Sequence, residues 1–141
     1  MTDHHRRPQS RGGKRTYGNI YRVVRYKHES YHLLFDSFAV PDMVKRFQFY
    51  FDLFGDSSPR TTDQNTYLQN WIRGERQRDR DGRIKRQAAW NNLFARMTIA
   101  DILIEINNCW LDYAWRIVKV QTASGKILFV TQKILASART S

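Results

Sequence analysis

Seven of the fourteen residues from Arg73 to Arg86 are cations: Arg73, Arg76, Arg78, Arg80, Arg83, Lys85 and Arg86. Only Glu75, Asp79 and Asp81 oppose them, and seven against three leaves a local charge of +4. On a helix, Arg73, Arg76, Arg80 and Arg83 follow the i, i+3, i+7, i+10 spacing and share one face, with the three acids off it. Guanidinium groups in such a row suit phosphate oxygens in both geometry and charge, so the chemistry predicted is phosphate-backbone binding. A solvated, partly self-paired connector is the competing reading, since Asp81-Gly82 is a turn signal and Gly74 weakens a helix.

The whole chain carries the same sign. With 24 Lys and Arg against 13 Asp and Glu in 141 residues, the net charge is +11 and the isoelectric point about 10.2. So large an excess costs compactness through self-repulsion, and an anionic partner explains it most economically. Residues 1–16 form the second basic patch, with Arg6, Arg7, Arg11, Lys14 and Arg15 against Asp3. Both patches together are the expected nucleic-acid contacts, including Lys85 and Arg86 beside the four-arginine face.

Catalytic and metal-binding patterns are thin. His4 and His5 are adjacent, His28 and His32 fall in a segment read as a hairpin, and no cysteine lies near them, so neither a zinc site nor any other cofactor is expected. There is no Gly-rich phosphate loop, no G-x-S-x-G and no Cys/His pair at interpretable spacing. Asp101 and Glu105 share a helical face, but next to Thr98 they fit a helix start better than a cation site. The chain is therefore expected not to be an enzyme.

Aromatic residues interleave with the cations. Trp71 and Trp90 flank the arginine run, and Tyr17, Tyr21 and Tyr26 alternate with Arg22, Arg25 and Lys27. Rings that stack bases beside cations that track phosphates make a single-stranded nucleic-acid surface, so Tyr21, Trp71 and Trp90 are the stacking candidates. Four Trp, seven Tyr and eight Phe in one small chain must nevertheless be mostly core.

The elements that must position these residues read as one α+β domain over 17–141, preceded by a disordered basic arm over 1–16. The arm holds no apolar residue beyond Met1 and contains Pro8, Gly12 and Gly13, too little burial to offset ordering entropy. Tyr21–Tyr26 and Tyr31–Phe35, separated by the polar Lys27-His28-Glu29-Ser30, predict an N-terminal β-hairpin. Val40-Pro41-Asp42 starts a helix ending at Gly55. Phe47, Phe49, Phe51 and Leu53 would alternate equally well in a strand, but the start and stop signals favour helix. Asp56 to Asp63 reads as a loop, after which Thr62 or Asp63 caps a helix carrying Tyr67, Leu68, Trp71 and Ile72. Ile84 to Met97 supports another helix, Thr98 with Asp101 restarts a third, and Trp115–Gln121 and Lys126–Thr131 flank a Gly125 turn as a C-terminal hairpin.

The lone Cys109 sits in an apolar run and is expected to be a buried, inert thiol, which points to a reducing, intracellular setting, cytoplasmic or nuclear. No apolar stretch is long enough for a membrane span, and the N-terminus lacks the apolar core of a secretory signal. The expectation is a non-enzymatic nucleic-acid-binding protein, RNA slightly ahead of DNA, binding backbone with little regard to sequence and forming a homo-oligomer. In composition it resembles small viral accessory and nucleocapsid-type proteins, a likeness that no motif carries. The alternative is a matrix-like or adaptor protein whose basic face meets acidic lipid or protein surfaces.

Overall fold

The computed structural model describes residues 1–16, 18–55 and 62–134. Among them the order is β1 (Thr2–His5), β2 (Ile20–Val23), α1 (Arg25–Phe35), α2 (Val40–Tyr50), α3 (Thr62–Arg73), α4 (Gln77–Phe94), α5 (Ile99–Glu105), β3 (Trp115–Gln121) and β4 (Ile127–Lys133). Single π-helical turns, Phe51–Gly55 and Ile106–Trp110, prolong α2 and α5. The fold is α+β, with a two-stranded antiparallel sheet at each end and helices between.

The N-terminal hairpin is built from other residues than those expected. β1 pairs with β2 in the register Thr2 to Val23 and His5 to Ile20. The segment read as a second strand is helix α1, which buries Tyr31, Leu34 and Phe35 at i, i+3, i+4 while Arg25, Tyr26, Glu29 and Leu33 are exposed. Arg25–Phe35 contains no Val, Ile or Thr, so nothing in it resists helix.

Nor is the segment before residue 17 a free arm. His4 is 2% exposed, its ring packed edge-on to Tyr31 at 4.7 Å and tilted against Trp110 at 5.0 Å. Arg6 donates to the carbonyls of Leu111 (2.9 Å) and Asn107 (2.7 Å) at the end of the α5 extension. Buried Asn19 ties the loop shut, accepting from the Arg7 N–H at 2.7 Å and donating to the Lys14 carbonyl at 2.8 Å. Polar contacts and one buried imidazole replace the missing apolar residues.

The core forms around α2, where Val40, Met43, Val44, Phe47 and Tyr50 are buried and helical periodicity prevails over the alternating pattern. Phe47, fully buried, meets Phe129 at 4.8 Å and Trp90 at 5.5 Å between ring centroids. Gly55 ends the α2 extension beneath Trp90, where a Cβ would come within 2.8 Å of the indole. β3 and β4 contribute Ile117, Ile127 and Phe129. Each strand has its outer edge closed by an amide side chain that mimics a neighbouring strand. Gln48 accepts from the Phe129 N–H (2.7 Å) and donates to the Ile127 carbonyl (3.2 Å), and Asn107 does the same for both backbone groups of Ile117. α5 begins as expected, with Thr98 Oγ1 accepting from the Asp101 N–H at 3.1 Å. The loop expected over 56–63 lies, up to residue 61, outside the described residues, as does Tyr17.

Candidate nucleic-acid interface

The arginine row is not one helical face. α3 ends at Arg73, the chain turns at Gly74 with its N–H on the Asn70 carbonyl (3.0 Å), and Arg76 is extended at the start of α4. The break falls at Gly74, just after α3, whereas Asp81-Gly82 makes no turn and α4 runs through it. Arg73 therefore belongs to α3, Arg76 to the corner, and Arg80 and Arg83 to α4. Arg83 Nε donates to both oxygens of Glu75 at 2.9 and 3.0 Å, pinning that corner, with the Glu75 side chain 4% exposed. Arg73, Arg76, Arg78, Arg80 and Lys85 are exposed and Arg86 is half-buried.

Cations of the N-terminal segment are largely turned to structural use. Arg7 binds both oxygens of Asp112 at 2.9 and 3.2 Å and lies 4.5 Å from the centre of the Tyr113 ring. The Asp112 hydrogen bond favours the charged guanidinium and raises the pKa of Arg7. Arg11 donates to the Ser37 carbonyl at 2.9 Å, Arg15 binds Asp3 at 2.8 Å, and Lys14 is exposed. Of the rings expected to stack, Trp90 is 3% exposed in the core and Tyr21 is half-buried, edge-on to Trp110 at 5.2 Å. Burial removes Trp90 from any base-stacking role. Trp71, 37% exposed, is the one that still presents a ring.

A groove of about 500 Å³ brings cations and rings together elsewhere, lined by Phe38, Asp42, Lys45, Arg46, Phe49, Tyr50 and Arg86. Asp42, Lys45, Arg46 and Phe49 follow i, i+3, i+4, i+7 and form the face of α2 opposite its buried stripe. Arg86 comes from α4. Phe38 and Phe49 are exposed, and the Arg46 guanidinium sits 4.3 Å from the centre of the Phe38 ring. Trp71 extends the aromatic surface, edge-on to Phe49 at 5.7 Å. Three cations against one carboxylate, beside exposed rings, suit a chain of stacked bases linked by phosphates. Lys45 and Arg46 escape a search for long charge runs, and only the outward face of α2 marks them.

The structure also gathers histidines that the sequence separates. His4 from β1 lies beside His28 and His32, which are i, i+4 on α1. Burial holds the His4 imidazole down at about 3, so it is neutral across the physiological range, and burial followed by neighbouring His32 lowers His28 as well. The i, i+4 spacing was visible in the sequence, but it becomes meaningful only once Arg25–Phe35 is a helix. Cys109 is half-buried, and burial first, then Glu105, pushes its thiol up and leaves it a weak nucleophile. Among the described residues no helix is long and apolar enough to cross a membrane. Compared with family models, curated proteins and solved structures, the chain matches none.

Proposed function

We propose that this protein is a non-enzymatic nucleic-acid-binding protein that holds a single-stranded segment, RNA ahead of DNA, along the outer face of α2. The observation that carries the reading is the groove itself, in which Lys45, Arg46 and Arg86 share one surface with the exposed rings of Phe38 and Phe49. Rings favour unpaired bases, which can be splayed and stacked, over a duplex whose bases are already stacked. The exposed cations Arg76, Arg78, Arg80 and Lys85 at and along α4 extend the positive field beyond the groove and raise the rate of encounter. Specificity for sequence is low, because stacking and phosphate contacts tolerate every base.

Fluorescence anisotropy with labelled single-stranded and duplex RNA and DNA tests the proposal. Single strands bind more tightly than duplexes, and Phe49→Ala weakens that binding by roughly 5- to 150-fold, the equivalent of about 1–3 kcal/mol for one lost stack. Equal affinity for duplex and single strand, with Phe49→Ala silent, would remove the groove from the account. Tight binding to anionic vesicles without binding to either nucleic acid would transfer the surface to acidic lipid.

A further inference from the structure

One ring nitrogen from each of His4, His28 and His32 lies within 4.8 Å of the others. The hydrogen bonds made by the remaining nitrogens decide which atoms carry lone pairs. His4 Nε2 lies 2.8 Å from the Trp110 carbonyl, which can only accept, so Nε2 bears the proton and Nδ1 does not. Nδ1 of this 2%-exposed residue is buried and has no hydrogen-bond partner. His32 Nδ1 lies 3.1 Å from the Asp36 carbonyl, leaving Nε2 unprotonated by the same reasoning. His28 Nδ1 meets Thr2 Oγ1 at 2.8 Å; that hydroxyl donates to the Val23 carbonyl at 3.1 Å and therefore accepts from His28. His28 Nε2 is thus unprotonated too, and it faces His32 Nε2 at 3.0 Å.

Two lone pairs pointed at each other, beside a third that is buried and unpartnered, repel unless a cation joins them. Zinc binds imidazole at about 2.0–2.1 Å, which sets ligand nitrogens about 3.3 Å apart in a tetrahedron. The His28–His32 separation of 3.0 Å is already close to that figure, and His4 offers the third vertex within 4.8 Å of both. Each ring is held by an oxygen acceptor on its far side, the arrangement that fixes tautomer and orientation in histidine metal sites.

We propose that His4, His28 and His32 form a three-histidine site for a divalent transition metal, zinc foremost, that fastens β1 to α1. The fourth coordination position opens on a cleft of about 280 Å³ that His28 and His32 share with Asp3, His5, Ser10 and Ser37. There His5 Nε2 is also buried without a hydrogen-bond partner. Water or His5 completes the shell. Nitrogen-only donors exclude magnesium and calcium, which require oxygen.

The test is titration of the full chain, stripped with EDTA, with Zn²⁺ against a chromophoric chelator, and with Co²⁺ by visible absorption. One equivalent of zinc binds with micromolar or tighter affinity, and cobalt gives the intense spectrum of four- or five-coordination. His28→Gln and His32→Gln, which remove rings from the more accessible side of the cluster, each weaken zinc binding at least about 100-fold, while Cys109→Ser leaves it unchanged. Circular dichroism confirms that both glutamine variants remain folded, and His4→Gln, at the buried position, is not needed for the decision. Absence of stoichiometric zinc binding, a loss below tenfold in both glutamine variants, or a weak six-coordinate cobalt spectrum would overturn the site.

Discussion

Replacing His4 with alanine distinguishes a docked N-terminal strand from a flexible basic arm. The imidazole is 2% exposed, packed against Tyr31 and Trp110, and bonded to the Trp110 carbonyl at 2.8 Å. Truncation removes a ring's worth of packing, about 3 kcal/mol for a core site that collapses partly, and strands a buried carbonyl at about a further 1 kcal/mol. For a chain of this length a loss of that size, about 4 kcal/mol, lowers Tm by roughly 13 °C. Differential scanning calorimetry in EDTA measures it without interference from bound metal. Arg11→Ala is the control: it lies in the same segment but is exposed, with one bond to the Ser37 carbonyl, and should shift Tm by no more than about 2 °C. A Tm for His4→Ala within about 2 °C of the parent would mean that residues 1–16 are free in solution after all.

Two further outcomes follow from the same packing. Gln48→Leu leaves the Phe129 N–H and the Ile127 carbonyl without their amide partner and should cost about 2 kcal/mol by urea denaturation; a neutral result would show that the β4 edge needs no closing. For metal-free protein, His4 has a folded pKa of about 3 against 6.5, so the unfolded chain takes up a proton that the folded one refuses. Stability is therefore flat in this group above pH 6.5 and falls as pH drops from there toward 3, by at most about 1.4 kcal/mol per unit. His4→Gln should flatten that part of the profile; equal slopes in variant and parent would refute the assignment.

The parts of the fold legible in sequence are those where local signals agree. Thr98, the Gly125 turn and the buried stripe of α2 each combine a start or stop residue with a single hydrophobic period, and each element stands where expected. Segment 25–35 misled because Tyr31 and Phe35 are good strand residues in isolation, while their burial beside Leu34 is a tertiary choice. Residues 1–16 misled for a different reason. Counting apolar residues misses a segment held by Arg6, Arg7 and one buried histidine, whose partners at Asn107 to Asp112 lie about a hundred positions away. The proposed groove was half legible: Arg86 and Trp71 stood among the sequence candidates, but Lys45, Arg46 and Phe49 belong to a helix noticed for its other face. Net charge alone could not locate a binding surface, since Arg6, Arg7 and Arg83 bind the protein itself.

The central claim is that the cations of the groove meet phosphates. Its most direct test is the salt dependence of binding to a labelled single-stranded RNA, measured for the parent and for the triple variant Lys45→Gln, Arg46→Gln, Arg86→Gln. Roughly four to five phosphate contacts give the parent a log–log slope of about −3, and loss of three of them reduces its magnitude by about two. A parent affinity indifferent to salt, or an unchanged slope in a folded triple variant, would contradict the account.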